Sequence, residues 1–151
     1  MKSNFKAWQT SREKYLAILN KYSLEQLNTT PDGFNNNLIW NIAHVIVAQQ
    51  RLVYAVSGLD MNIPNELLQR FKPGTKPTTF IEKEELDYFK DLLISLTDKT
   101  IKDYEAGRFA AYTPFTTGTG FHLASVEDAI VFNNYHEGLH LGYMMCIQKF
   151  I

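Results

Sequence analysis

The chain has 151 residues, with 15 Lys plus Arg against 16 Asp plus Glu, four histidines, a single cysteine and 45% of its residues in the hydrophobic set. That length points to one domain with a self-sufficient core, and one cysteine excludes an internal disulfide staple. A formal net charge of −1 offers no clustered positive field, which argues against a nucleic-acid partner and against an anionic membrane surface.

Residues 1–10 lack the apolar run and small-residue cleavage site of a secretory signal, and the lone thiol suits a reducing compartment, so the expected location is cytoplasmic. In residues 4–22, Phe5, Trp8, Tyr15, Leu16, Ile18 and Leu19 fall mostly at three- and four-residue spacings between charged positions, the pattern of an amphipathic first helix with an aromatic core face. Ser23-Leu24-Glu25-Gln26 has the form of a capping box for a short helical turn, and Pro31-Asp32-Gly33 signals a tight connection.

A second helix is predicted from an Asn35, Asn36 or Asn37 cap to Ser57, with Gly58 placed to end it in the left-handed conformation. Its stretch 38–48 is apolar almost all round, about half the ~20 residues a membrane span requires, and it carries Asn41 and His44. It reads as a buried helix, with no membrane partner. From 58 to 79 the periodicity lapses around Pro64, Pro73, Gly74 and Pro77, leaving room for a short helical piece at 66–71.

Thr79-Phe80-Ile81-Glu82 is a second capping box, and Ile81, Leu86, Phe89, Leu92, Leu93, Leu96, Ile101 and Tyr104 hold helical spacing up to Gly107. Residues 108–124 contain Pro114 and the run Thr116-Thr117-Gly118-Thr119-Gly120, which is loop or short strand. Ser125-Val126-Glu127-Asp128 opens a fourth long helix that should reach close to Ile151. Four long amphipathic helices in one domain without internal repeats specify an all-α four-helix bundle, spanning residues 1–151 as a single domain. The ~20-residue connection between helices two and three permits a crossover that leaves them parallel, and loops of that length are usually functional or mobile.

The chemistry concentrates on helix four, in Tyr135-His136-Glu137-Gly138-Leu139-His140-Leu141-Gly142-Tyr143. Residues four apart are separated by about 40° and ~6 Å of rise, so His136 and His140 share a face and can grip one ion. They lie on the stripe of Phe132, Tyr143 and Ile147, which is expected to look inward. His136 to His140 has the letters of the zinc-peptidase HExxH signature. That reading fails downstream, because the eleven residues after His140 contain no His, Asp or Glu to serve as third ligand. Glu137 is also a 100° step round the helix from His136.

An upstream third ligand is available in His44, an imidazole inside the apolar run of helix two that is costly to bury unless hydrogen-bonded or ligated. Three neutral imidazoles at ~2.0–2.1 Å leave a fourth position open for water or substrate, the arrangement of a catalytic rather than a structural site. His122 in the Gly- and Thr-rich loop reads as solvent-facing. Cys146 reads as a buried small hydrophobe. Tyr143, Asn133, Asn41 and Arg51 stand at helical offsets that suit contacts behind the ligands or with substrate.

Asn41 with His44 on helix two, His136, His140 and Gly142 near the C-terminus, and Ser23-Leu24-Glu25-Gln26-Leu27 with Pro31 between the first two helices together resemble the DinB/YfiT-like family. The resemblance implies an up-down-down-up four-helix bundle and a divalent metal on His44, His136 and His140. It also implies a homodimer and no nucleic-acid role. Its implied chemistry is metal-dependent thiol-S-transfer or hydrolysis on a small electrophilic substrate, with a low-molecular-weight thiol as a candidate cofactor. Nothing in the sequence marks catalytic or cofactor-binding residues beyond the three histidines. Imidazole donors suit zinc and nickel first, with iron, manganese and copper also compatible. Neutral ligands predict an affinity that falls as pH drops through the ~6.5 region. The competing expectation is a non-catalytic metal-binding bundle, a stress-related or dimeric interaction protein. A protein side chain closing the fourth position would favour it.

Overall fold

In the computed structural model, which describes residues 1–151, the predicted helices form with two short ones between them. Helix α1 (Lys2–Lys21) buries Phe5, Trp8, Arg12, Tyr15, Ile18 and Leu19 on one stripe. The Ser23 capping box closes as predicted and opens α2 (Leu24–Asn28), the Gln26 amide donating to Ser23 Oγ and Gln26 Oε1 accepting from the Ser23 amide. Helix α3 (Leu38–Val53) is capped by Asn37, whose Oδ1 accepts from the Trp40 amide at 2.9 Å, and is buried without interruption from Leu38 to Gln50. Beyond Val53 it tightens into a 3-10 turn (Ala55–Ser57) and stops at Gly58, whose φ of 73° is the left-handed conformation that residue was placed to supply.

The crossover carries α4 (Asn65–Phe71) and leads into α5 (Lys83–Glu105). The second capping box does not form. Helix α5 begins at Lys83 behind Glu82, with no side-chain cap. The chain ahead of it is held from a distance: Asn28 at the end of α2 donates Nδ2–H to the Ile81 carbonyl and accepts the Ile81 amide on Oδ1. A two-residue hairpin, β1 (Phe115–Thr116) with β2 (His122–Leu123), precedes α6 (Val126–Ile147). Ser125 Oγ accepts from the Asp128 amide to open α6, which ends at Ile147 short of the predicted limit.

Cross-helix pairs give the packing. Asn4 near the start of α1 meets Asn134 inside α6, and Tyr22 just beyond α1 meets Gln148 just beyond α6, so those helices run the same way. Gln49 and Tyr54 meet Thr100 and Asp103, which sets α3 alongside α5 in the same direction. Helix α1 packs against α5 and α6, and α3 packs against α6. The apolar core has two parts, a large one that includes Tyr15, Leu19, Ile42, Leu93 and Met144, and a smaller one of Phe5, Trp8, Val53, Tyr54, Val126 and Ile130. Along α1 and α6 a polar layer separates them: Arg12 falls between Trp8 and Tyr15, and His136, Glu137 and His140 between Ile130 and Met144. No helix is long and apolar enough to cross a membrane.

Candidate metal centre

Helices α3 and α6 bring His44, His136 and His140 together, with one candidate donor atom of each within 4.8 Å of the others. Their ring centroids are 4.8 Å (His44 and His140), 5.3 Å (His44 and His136) and 4.6 Å (His136 and His140) apart. His44 is buried, whereas His136 and His140 retain partial exposure, so the cluster has an open side.

The surrounding hydrogen bonds decide which nitrogens are free. The Phe71 carbonyl, at the C-terminal end of α4, lies 2.6 Å from His44 Nδ1. A carbonyl only accepts, so Nδ1 carries the proton and the neutral ring presents a bare Nε2. Asn41 Oδ1 lies 2.8 Å from His140 Nδ1. The Asn41 amide is oriented from its other side, where Nδ2 donates to the Asn37 carbonyl (2.7 Å) and Asn36 Oδ1 (2.8 Å). His140 therefore also donates from Nδ1 and has a bare Nε2.

His140 Nε2 is 3.2 Å from His136 Nε2, and His136 Nδ1 is buried with no partner. A proton on His136 Nε2 would satisfy His140 but leave a bare buried Nδ1; a proton on Nδ1 would leave two lone pairs face to face. A shared cation accepts both lone pairs at once. Nitrogens bonded at ~2.0–2.1 Å in a tetrahedron stand about 3.4 Å apart, close to the separation found here. The donor set fits a divalent ion, and no fourth His, Cys, Asp or Glu joins the three.

Burial lowers the pKa of all three rings, because a charged imidazole is poorly solvated there. It lowers His44, against the Phe71 hydrogen bond that raises it, and pushes His136 down to about 4 and His140 down to about 3, where the neighbouring histidines add to the effect. All three rings of the folded, metal-free site therefore favour the neutral form more than a free histidine does. Proton competition for the folded site is thereby moved below the ~6.5 region.

One long connection touches the centre directly and the other through an intervening ring. The crossover supplies the Phe71 carbonyl. The hairpin supplies Phe121, which packs on Phe132 (5.2 Å) and Tyr135 (4.9 Å), while Phe132 stacks on His136 at 6.2 Å. On the other side the Trp40 indole stacks on His44, with centroids 4.9 Å apart and planes 10° from parallel.

Glu137 faces away from this site. Its Oε1 accepts from Trp8 Nε1 (2.8 Å), Arg12 Nη2 (2.6 Å) and Asn133 Nδ2 (2.8 Å), and its Oε2 accepts from Arg12 Nε (3.0 Å). Both members of the ion pair are fully buried. A carboxylate engaged in this way ties α1 to α6 and has no part as a general base over the histidines. Asn133 serves Glu137, whereas Asn41 serves a ring. Arg51 and Tyr143 are exposed, and Tyr143, expected to look inward, lies edge-on to Phe34 at the surface. Cys146 is exposed rather than packed, because Met144 and Ile147 take the inward positions of that turn. His122 is exposed on β2 with Nδ1 3.3 Å from Thr116 Oγ1, apart from the cluster.

The sequence pointed to the three histidines but not to the Arg12–Glu137 pair. Its signal was present: Arg12 interrupts the apolar stripe of α1, and Glu137 is the only carboxylate or ammonium group between Asp128 and Lys149. The Phe71 carbonyl, being backbone, has no sequence signal.

A mostly helical chain with three clustered imidazoles on two packed helices defines the class as an all-α protein with a candidate metal centre. The sequence profile of the DinB superfamily matches residues 7–144, and the chain belongs to that superfamily. No curated protein matches it.

Proposed function

We propose that His44, His136 and His140 bind one divalent metal ion, with zinc or nickel first and iron or manganese next, and that the protein is a metal-dependent enzyme of thiol-S-transfer or hydrolytic type acting on a small electrophile. The observation that carries this reading is the 3.2 Å approach of two imidazole Nε2 atoms, one of them fixed as unprotonated by Asn41. When bound, such an ion is a Lewis acid that makes water or a thiol nucleophilic at neutral pH. The chain's own part is to hold the rings neutral by burial, to fix two of them through Asn41 and the Phe71 carbonyl, and to shield them with Trp40, Phe132 and Phe121. The absence of a fourth protein donor favours an open position over the closed coordination of a structural ion. A low-molecular-weight thiol would then come from outside the chain.

The proposed arrangement of the long helices is the up-down-down-up bundle, supported by the parallel α1/α6 and α3/α5 pairings. A second copy is the proposed protein partner. The outer face of α6 presents Val131, Tyr135, Gly138, Leu139, Gly142 and Met145 to solvent, with no charge among them. A Cβ on either glycine would meet nothing within 4 Å, so no contact within this chain requires them. Glycine inside a helix costs about 1 kcal/mol relative to alanine, and an uncharged stripe can face its own image without like-charge repulsion. The proposed setting is cytoplasmic.

The test is metal analysis by mass spectrometry on untagged, dialysed protein beside a His44→Ala variant, followed by a thiol and electrophile screen on the loaded protein. Near-stoichiometric metal in the wild type and loss in the variant are expected. Equal content in both removes His44 from the site.

A further inference from the structure

The carbonyl that orients His44 belongs to the crossover, and a short list of contacts holds it there. Phe71 is the last residue of α4, so its carbonyl has no amide four residues on to accept from and is free to take the His44 Nδ1 proton. The Phe71 ring is buried edge-on against Phe89 of α5, with centroids 5.6 Å apart and planes at 90°. Arg70 lies over the same ring at 5.0 Å and forms a two-point pair with Glu85 of α5, Nη1 to Oε1 at 2.5 Å and Nη2 to Oε2 at 3.0 Å. Thr75 Oγ donates to the Arg70 and Lys72 carbonyls and closes the turn that follows. Arg70 and Glu85 are partly exposed, and neither touches a histidine.

We propose that Arg70 and Glu85 are positioning residues for the metal centre: their pair pins the end of α4 to α5 and so holds the Phe71 carbonyl where it fixes the tautomer and ring orientation of His44. A planar guanidinium clamped at two points defines direction as well as distance, which a single ammonium contact does not. A histidine that donates its second nitrogen to a fixed carbonyl presents its other lone pair in one direction and is the more basic ligand for it. The crossover is therefore a component of the centre. This proposal rests on the three-histidine reading above.

The experiment compares wild type with Arg70→Ala, Arg70→Lys and Glu85→Gln. Imidazole nitrogen NMR of the metal-free proteins reads the tautomer of His44. Competition of Co2+ and Zn2+ against a chromogenic chelator reads affinity, the Co2+ visible band reads coordination geometry, and thermal melts check that the fold persists. Expected are an Nδ1–H tautomer of His44 in the wild type, a mixture of tautomers in Arg70→Ala and Glu85→Gln, and metal affinity in those two lower by on the order of 10-fold with an altered Co2+ band. Arg70→Lys, which keeps the charge but not the two-point clamp, should fall between. Unchanged tautomer, affinity and Co2+ band in Arg70→Ala and Glu85→Gln overturn the proposal. A wild type that binds no metal but shows the tautomer difference overturns the three-histidine reading and leaves the positioning of His44 standing.

Discussion

Two buried polar centres sit on successive residues of α6 and are finished to different degrees. At Glu137 the protein supplies every partner the carboxylate requires: an indole N–H, an amide and a side-on guanidinium occupy both oxygens. At His136 and His140, two ring Nε2 atoms face one another at 3.2 Å, and His136 Nδ1 is buried with nothing to meet it, so neither tautomer of His136 satisfies both of its nitrogens. Burial costs more at the charged Arg12–Glu137 pair than at the neutral, partly exposed rings, so that pair needs the fuller set of partners. The carboxylate finds all its partners inside the protein, although Arg12 Nη1 and Asn133 Oδ1 behind it have none, whereas the converging ring nitrogens fit a shared ion. The letters His-Glu-x-x-His put both kinds of residue in one motif, and only the direction of each side chain separates them.

The largest effect should come from breaking the finished centre. Glu137→Ala leaves the Arg12 guanidinium buried and unpaired, a loss of about 3–5 kcal/mol and of roughly 10 °C in thermal midpoint for a chain of this size. Folded Glu137→Ala molecules should still take up metal, which differential scanning fluorimetry with and without added ion can follow. Wild-type stability with abolished activity would make Glu137 a catalytic base instead.

Next in size is the response of the metal-free protein to acid. The folded pKa values, about 4 for His136 and about 3 for His140, lie below the ~6.5 of an unfolded histidine. The unfolded chain therefore binds more protons in that window. Stability present above pH 6.5 is lost as pH falls toward 4. Urea midpoints at pH 7 and pH 5 should show the decline in wild-type apoprotein and a shallower one in His136→Ala. Parallel profiles would mean that His136 is not desolvated as its surroundings require.

Asn41→Ala sharpens the contrast from the other side by removing the acceptor that fixes His140. Metal affinity should drop by about 10–100-fold in a competition titration, the usual cost of losing such a partner, with Glu137 and its network untouched. The smallest effect on folding belongs to Leu139→Lys on the outer face of α6. Leu139 is 51% exposed, so its replacement should leave monomer stability within about 0.5 kcal/mol while sedimentation shifts from dimer to monomer. Unchanged sedimentation of a dimer would move the proposed interface elsewhere.

Much of the fold was legible because it is local. Apolar spacing located the long helices, and Ser23 and Ser125 cap where a reading of neighbouring residues puts them. Thr79 does not cap α5, and the stretch ahead of that helix is held by Asn28, 53 positions away from Ile81. The histidines were legible because polar rings on apolar helix faces stand out in a sequence. What each neighbour does was not: the register of α1 against α6 gives Arg12 to Glu137, the rotation of α6 turns Tyr143 and Cys146 outward, and the end of α4 places a backbone oxygen on His44. None of these is a property of residue type or short-range spacing.

In the proposed centre three imidazoles share one ion with a position left open. X-ray absorption at the metal edge of the loaded wild-type protein counts those ligands. The expected first shell contains three histidine nitrogens and one exchangeable non-protein ligand, with one histidine lost in each of His44→Ala, His136→Ala and His140→Ala. A shell completed by a fourth protein side chain, or one unchanged by any of the three substitutions, would contradict it.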